Sequence, residues 1–141
     1  MYDILFQFQI RAKPLAVFDA FTSPQGLNSW WTAQSSGIPE VGAIYQFYFG
    51  PAYDWRAKVV HVVRVYELTW QVIQAMEDWM GTMLGFKLSE TDDGCTVRFF
   101  HRNWPHQGDH FAISSFCWGQ LLRGLKEYVE QGSIIPFANR N

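Results

Sequence analysis

One stretch limits what this chain can become: residues 109 to 131, where apolar residues return at helical intervals. Phe111, Trp118, Leu121, Leu122, Leu125, Tyr128 and Val129 form a single stripe, the spacing of one helix face. Lys126, Glu127, Glu130 and Gln131 lie off it, and Gly132 follows as a natural C-terminal cap. A helix of that length must bury its apolar face against a partner. Nothing else in the chain carries a comparable stripe, so the partner is built from the segments before it, which alternate.

Tyr2, Ile4, Phe6, Phe8 and Ile10 share one side of a first strand. Pro14 suits the first turn of a helix, and Val17, Phe18 and Phe21 give it an apolar face over 14–22. Ser23 then caps, and Pro24 opens, a second short helix over 24–30. From 38 to 104 the punctuation is that of hairpins, with turns at Gly50-Pro51 and Asp93-Gly94. Alternation places Trp55, Ala57, Val59, His61 and Val63 on one face. It does the same for Tyr66, Leu68, Trp70 and Val72, for Thr82, Leu84, Phe86 and Leu88, and for Val97, Phe99, His101 and Asn103. Strand, two short helices, five or six antiparallel strands and one long helix make an α+β domain over 1–141: a curved antiparallel sheet wrapped around the C-terminal helix.

Composition narrows the functions. Net charge is −2 and the Lys and Arg residues never run together, so neither nucleic acid nor a basic membrane patch is expected. No apolar run approaches a membrane span, and the alternating N-terminus does not read as a signal peptide. Cys95 and Cys117 lack metal-ligand spacing, which points to a reduced, cytoplasmic setting. His101, His106, His110 and Asp109 are near in sequence, but no partner signature completes a metal site, and none is expected. Ser114 and Ser115 sit in the helix without a nucleophile elbow. Without a glycine-rich phosphate loop, no nucleotide or other cofactor is expected. Aromatic residues make up 18% of the chain. That share implies a thick core or an aromatic-lined pocket.

Four stretches, in their order, are similar to a known family. They are "PLAVFDAFTSPQGLNSWWT" (14–32), "RAKVVHVVRVYELTWQV" (56–72), "FHRNWP" (100–105) and "FCWGQLLRGLKEYVEQG" (116–132). Together they resemble the START-like, helix-grip superfamily, also called SRPBCC. Within it they resemble the branch named after the activator of the heat-shock-protein-90 ATPase. The resemblance implies a deep cavity between sheet and long helix. It implies no single function, because the superfamily includes lipid carriers, aromatic cyclases, stress-linked proteins and chaperone regulators.

Three functions follow as expectations. The first is binding of a small hydrophobic or amphipathic molecule between the sheet and the 109–131 helix. Trp70, Phe86, Phe99 and Trp118, with Trp55 and Leu122, would form the walls, and His101, Tyr48 and His61 the polar contacts. This reading needs an interior void larger than a few waters. The second is a cyclase/aromatase- or hydrolase-like enzyme using His101 as acid or base, with Tyr48, His61 or Asn103 as a second polar group. The plainer alternative for His101 is a core histidine whose nitrogens are satisfied internally. The third is a co-chaperone-like interaction protein, with an outer patch of Arg56, Lys58, Arg64 and Arg98. A homodimer is possible, and Trp79 and Trp104 would mark its surface if exposed.

Overall fold

The computed structural model describes residues 1–140. Strand β1 (Tyr2–Ile10) leads into α1 (Pro14–Thr22) and α2 (Pro24–Trp30). Then come β2 (Gln34–Ser36), β3 (Ile44–Tyr48), β4 (Asp54–Val63), β5 (Glu67–Gln74), β6 (Met83–Thr91) and β7 (Gly94–Trp104), and finally α3 (Asp109–Gln131). Short 3-10 turns occupy Glu77–Trp79 and Phe137–Asn139. The expected α+β architecture is present. The seven strands form one antiparallel sheet in the order β1-β7-β6-β5-β4-β3-β2.

The helix bounds follow from their caps. Lys13 and Ser23 both have extended backbone, each followed by a proline in the first turn. The Ser23 hydroxyl accepts from the Gly26 N–H at 3.0 Å, which satisfies one open donor of α2. Gly132 ends α3 with φ 73°, a left-handed conformation that costs glycine little. From α3 the buried residues are Ser114, Trp118, Leu122, Gly124 and Leu125. Trp118 meets Phe99 of β7, as the stripe requires, whereas Gly124 lies toward Ile135 in the segment after α3.

The pleat directs β5, β6 and β7 as the alternation does except at two ends: Tyr66 falls in the turn before β5 and is exposed, and Asn103, at φ 70°, turns out of the inward face. Leu68, Trp70, Val72, Thr82, Leu84, Phe86, Leu88, Val97, Phe99 and His101 all point inward and are buried. Gly85 lies between them on the opposite face. A Cβ there would meet the Leu68 carbonyl and come within 2.6 Å of the Phe100 ring, so only glycine leaves room for both.

β4 and β3 differ as well. In β4, Val59 pairs Trp70 and His61 pairs Thr69, which leaves Val60 as an extra residue. This bulge reverses the pleat. His61 therefore points outward, with its side chain 52% exposed and Nε2 3.2 Å from Glu67 Oε1. Val62 takes the inward place expected of Val63. In β3, Tyr45 and Phe47 are the buried residues, and Tyr48 lies on the other side of the pleat. Trp79 and Trp104, considered for a dimer surface, are both buried.

Candidate functional site

The inner face of the sheet and α3 enclose an interior made of rings. Phe21 of α1 stacks on Phe86 of β6 at 4.1 Å between centroids. Trp31, just after α2, lies 4.6 Å from Phe47 and 5.0 Å from Trp118. Trp118 in turn meets Phe99 at 4.6 Å. Trp55 closes the far end against Trp79 at 4.5 Å. Of the sequence-predicted wall, Trp70, Phe86, Phe99 and Trp118 converge on one central space, and Leu122 is buried nearby. That space has a volume of about 10 Å³, room for roughly one water. The expected deep cavity is thus closed by aromatic packing, because Trp30, Trp31 and Phe21 from the two short helices fill what the sheet's curvature leaves open.

His101 is the polar centre of this interior and is fully buried. The Trp118 indole, which can only donate, gives its Nε1–H to His101 Nδ1 at 3.2 Å. The ring proton must therefore sit on Nε2, which donates to Thr82 Oγ1 at 2.9 Å. The Thr82 hydroxyl passes the sequence on to the Trp79 carbonyl at 2.6 Å. Both ring nitrogens are engaged, and the tautomer is fixed by the donors around it. Burial, with a smaller push from His110, lowers the His101 pKa to about 3. This is the satisfied core histidine. Catalysis by His101 would need one of those bonds to break and a second polar group nearby. Tyr48 and His61 point away, and Asn103 is exposed.

Tyr45, not Tyr48, is the inward phenol. Its hydroxyl donates to the Thr22 carbonyl at 2.7 Å, and burial pushes its pKa up. It ties β3 to the end of α1 and so helps fix the wall. Three buried indole N–H groups, of Trp70, Trp79 and Trp104, have no acceptor among the described residues. An unpaired buried donor costs on the order of 1–3 kcal/mol, and Trp70 lines the central space.

A second hollow adjoins the first. Between α2, α3 and the segment after α3 lies a cleft of about 130 Å³, lined among others by Ser29, Trp30, Gln120, Leu121, Ile135 and Arg140. Trp30 lines both hollows, held by its Nε1–H on the Ala20 carbonyl at 2.9 Å. Sequence reasoning did not single out Arg140. Its signal was faint: one cation closing the apolar run Ile134-Ile135-Pro136-Phe137.

The remaining candidates are spread out. His110 Nδ1 turns to Asp78 at 3.4 Å, and His106 is exposed. Among the described residues no three His, Cys, Asp or Glu side chains converge as metal ligands. Cys95 is buried, which raises its thiol pKa, while Cys117 is only half-buried; both thiols are free. Arg56 is paired with Asp54 at 3.1 Å, and Arg98 donates to the Ser89 hydroxyl at 3.2 Å. Among the described residues no helix is long and apolar enough to cross a membrane.

Comparison with known proteins places this architecture. No curated protein matches the chain. The Aha1 dimer from Colwellia psychrerythraea, solved in solution, is 33% identical, with a TM-score of 0.85 over 94% of this chain and 99% of that one. Protein SSP2350 from Staphylococcus saprophyticus is 20% identical, with a TM-score of 0.80 over 95% of this chain and 96% of that one. CalU16 from Micromonospora echinospora is 17% identical, with a TM-score of 0.75 over 92% and 77%. The last two share the fold. The family model described as "Activator of Hsp90 ATPase homolog 1-like protein" matches residues 11–130. That span runs from the end of β1 through nearly all of α3, and the chain belongs to this family.

Proposed function

We propose that the domain is a non-catalytic binding module for a small hydrophobic or amphipathic molecule, admitted on the α2–α3 side. The observation that carries this reading is the shared wall: Trp30 separates the outer cleft of about 130 Å³ from the central space of about 10 Å³. Displacement of that one ring joins the two. A ligand then lies with its apolar body against Trp30 and Leu121 and reaches toward Trp70, Phe99 and Trp118. Its carbonyl or hydroxyl oxygen would meet the unpaired Trp70 N–H. His101 is not its anchor, since both of its nitrogens are taken. The interior void that a preformed site requires is absent among the described residues, so the interior carrier expected from the sequence does not hold. This reading moves the site to the α2–α3 side, with binding by displacement. It predicts slow, activated association.

The test is a tryptophan fluorescence titration of the full chain with single-ring alcohols, amides and carboxylates. Saturable quenching by at least one of them, weakened by Leu121→Asp, is expected. A flat response across the whole panel sinks the reading.

A homodimer is a second reading, favoured by the dimeric Colwellia relative. On this chain the outer side of α3 exposes Ile113 at 61% and Phe116 at 68%. Large apolar residues so exposed on one helix face are a natural contact between copies.

A further inference from the structure

The geometry points to Arg140 as an anion receptor, which makes the ligand of the α2–α3 cleft a small carboxylate with an apolar body. The inference rests on the cleft being the ligand site.

The chain after α3 leaves the core and then returns to it. Residues 133–139 are exposed, but Arg140 is only 8% exposed. Its Nε donates to the Ile135 carbonyl at 2.8 Å, Nη1 to the Thr32 carbonyl at 3.1 Å, and Nη2 to the Asn28 carbonyl at 2.9 Å. All three acceptors are neutral. Among the described residues no carboxylate lies within ion-pair distance of it. A guanidinium carries five N–H donors in a planar fork, so two remain, one on each Nη.

A buried cation is ordinarily paired with an anion. Here it lines a cleft instead. One N–H on each Nη is thus left for an anion in the cleft, and a carboxylate is the organic anion a guanidinium pairs with best. The rest of the lining defines the ligand's other end. Trp30, Leu121 and Ile135 are apolar, and Ser29 and Gln120 add neutral polar groups. The volume of about 130 Å³ is close to that of an engineered cavity of roughly 150 Å³ that takes benzene in another protein. The cleft therefore fits one ring, or a branched aliphatic group of that size, bearing one carboxylate.

The segment that delivers Arg140 is itself fastened. Phe137 stacks on Phe49 at 6.4 Å, and the Arg140 guanidinium lies 5.8 Å from the Phe137 ring centre. The receptor is thus held by contacts that do not involve the ligand.

The test is NMR of the 15N-labelled full chain titrated with phenylacetate, phenylacetamide and inorganic phosphate in parallel. Phenylacetate should shift the Trp30 indole N–H and the Gly124 amide saturably, with phenylacetamide and phosphate each at least about tenfold weaker. Arg140→Gln should remove the preference for the carboxylate. Because that variant also loosens the C-terminal segment, Gly124→Leu provides a second arm. A Cβ at Gly124 would meet only Ile135 Cδ1, at 3.9 Å, so the larger side chain fills the cleft and should abolish binding with Arg140 intact. Equal binding of phenylacetate and phenylacetamide, unchanged in Arg140→Gln, overturns the anion receptor and leaves the cleft as a neutral-ligand site. Phosphate binding as tight as phenylacetate overturns the requirement for an apolar body. Saturable binding by none of the three overturns the receptor and the cleft reading together.

Discussion

His101 shows how a single residue can be placed correctly by sequence and still be misjudged in role. The alternation of β7 points it inward, and it is inward. Its partners Trp118 and Thr82, however, lie 17 and 19 residues away on other elements, and no local pattern announces them. The bonding has a consequence for stability. The folded-state pKa of about 3 lies below the unfolded value near 6.5. The unfolded chain thus takes up this proton first as pH falls. Stability from the neutral ring is complete above about pH 6.5 and is lost as pH drops toward 3, by up to about 1.4 kcal/mol per pH unit. Urea melts of the native chain and His101→Gln between pH 7 and pH 4 isolate this contribution. The native chain should lose stability more steeply, whereas parallel curves would refute the buried neutral imidazole. Gly85 is a second residue with a defined role. Gly85→Ala sets a Cβ against the Leu68 carbonyl and the Phe100 ring, and a loss of about 1–3 kcal/mol is expected in the same melts.

At the scale of elements, the helices were legible and two strands were not fully so. Proline and serine at the starts of α1 and α2, and glycine at the end of α3, are local signals that no tertiary contact overrides. The phase of β4 was lost at Val60, because nothing in "KVVHVV" marks where an extra residue will sit. In β3 the run "IYQFYF" has aromatics on both faces, so alternation alone cannot tell Tyr45 from Tyr48. The C-terminal segment was missed for a different reason: Arg140 binds backbone carbonyls, which every residue has. The role of α3 as the plug of the sheet has its own test. Leu125 is fully buried on the inner side of α3, and Leu125→Ala should destabilise by roughly 2–5 kcal/mol. A change near zero in a denaturant melt would mean that the helix stripe does not hold the fold together.

For the whole molecule, composition could not separate a filled interior from a hollow one. The same rings line a pocket or pack on each other. Which occurs depends on whether α1 and α2 press inward, and here Phe21, Trp30 and Trp31 do so. On the proposed reading, a closed interior beside an open cleft makes ligand binding a displacement event. The outer side of α3 exposes Ile113 and Phe116. If they form a contact between copies, sedimentation velocity should show a concentration-dependent dimer that Phe116→Asp reduces to monomer. A monomer at every concentration would remove the second reading. The central claim, that the molecule holds a small hydrophobic or amphipathic ligand, is tested most directly by native mass spectrometry of the full chain purified from its own host. The account predicts one defined small molecule per chain, released on activation, with a carboxylate in its composition. A bare chain, with no adduct after incubation with phenylacetate or with the rest of the panel, would contradict it.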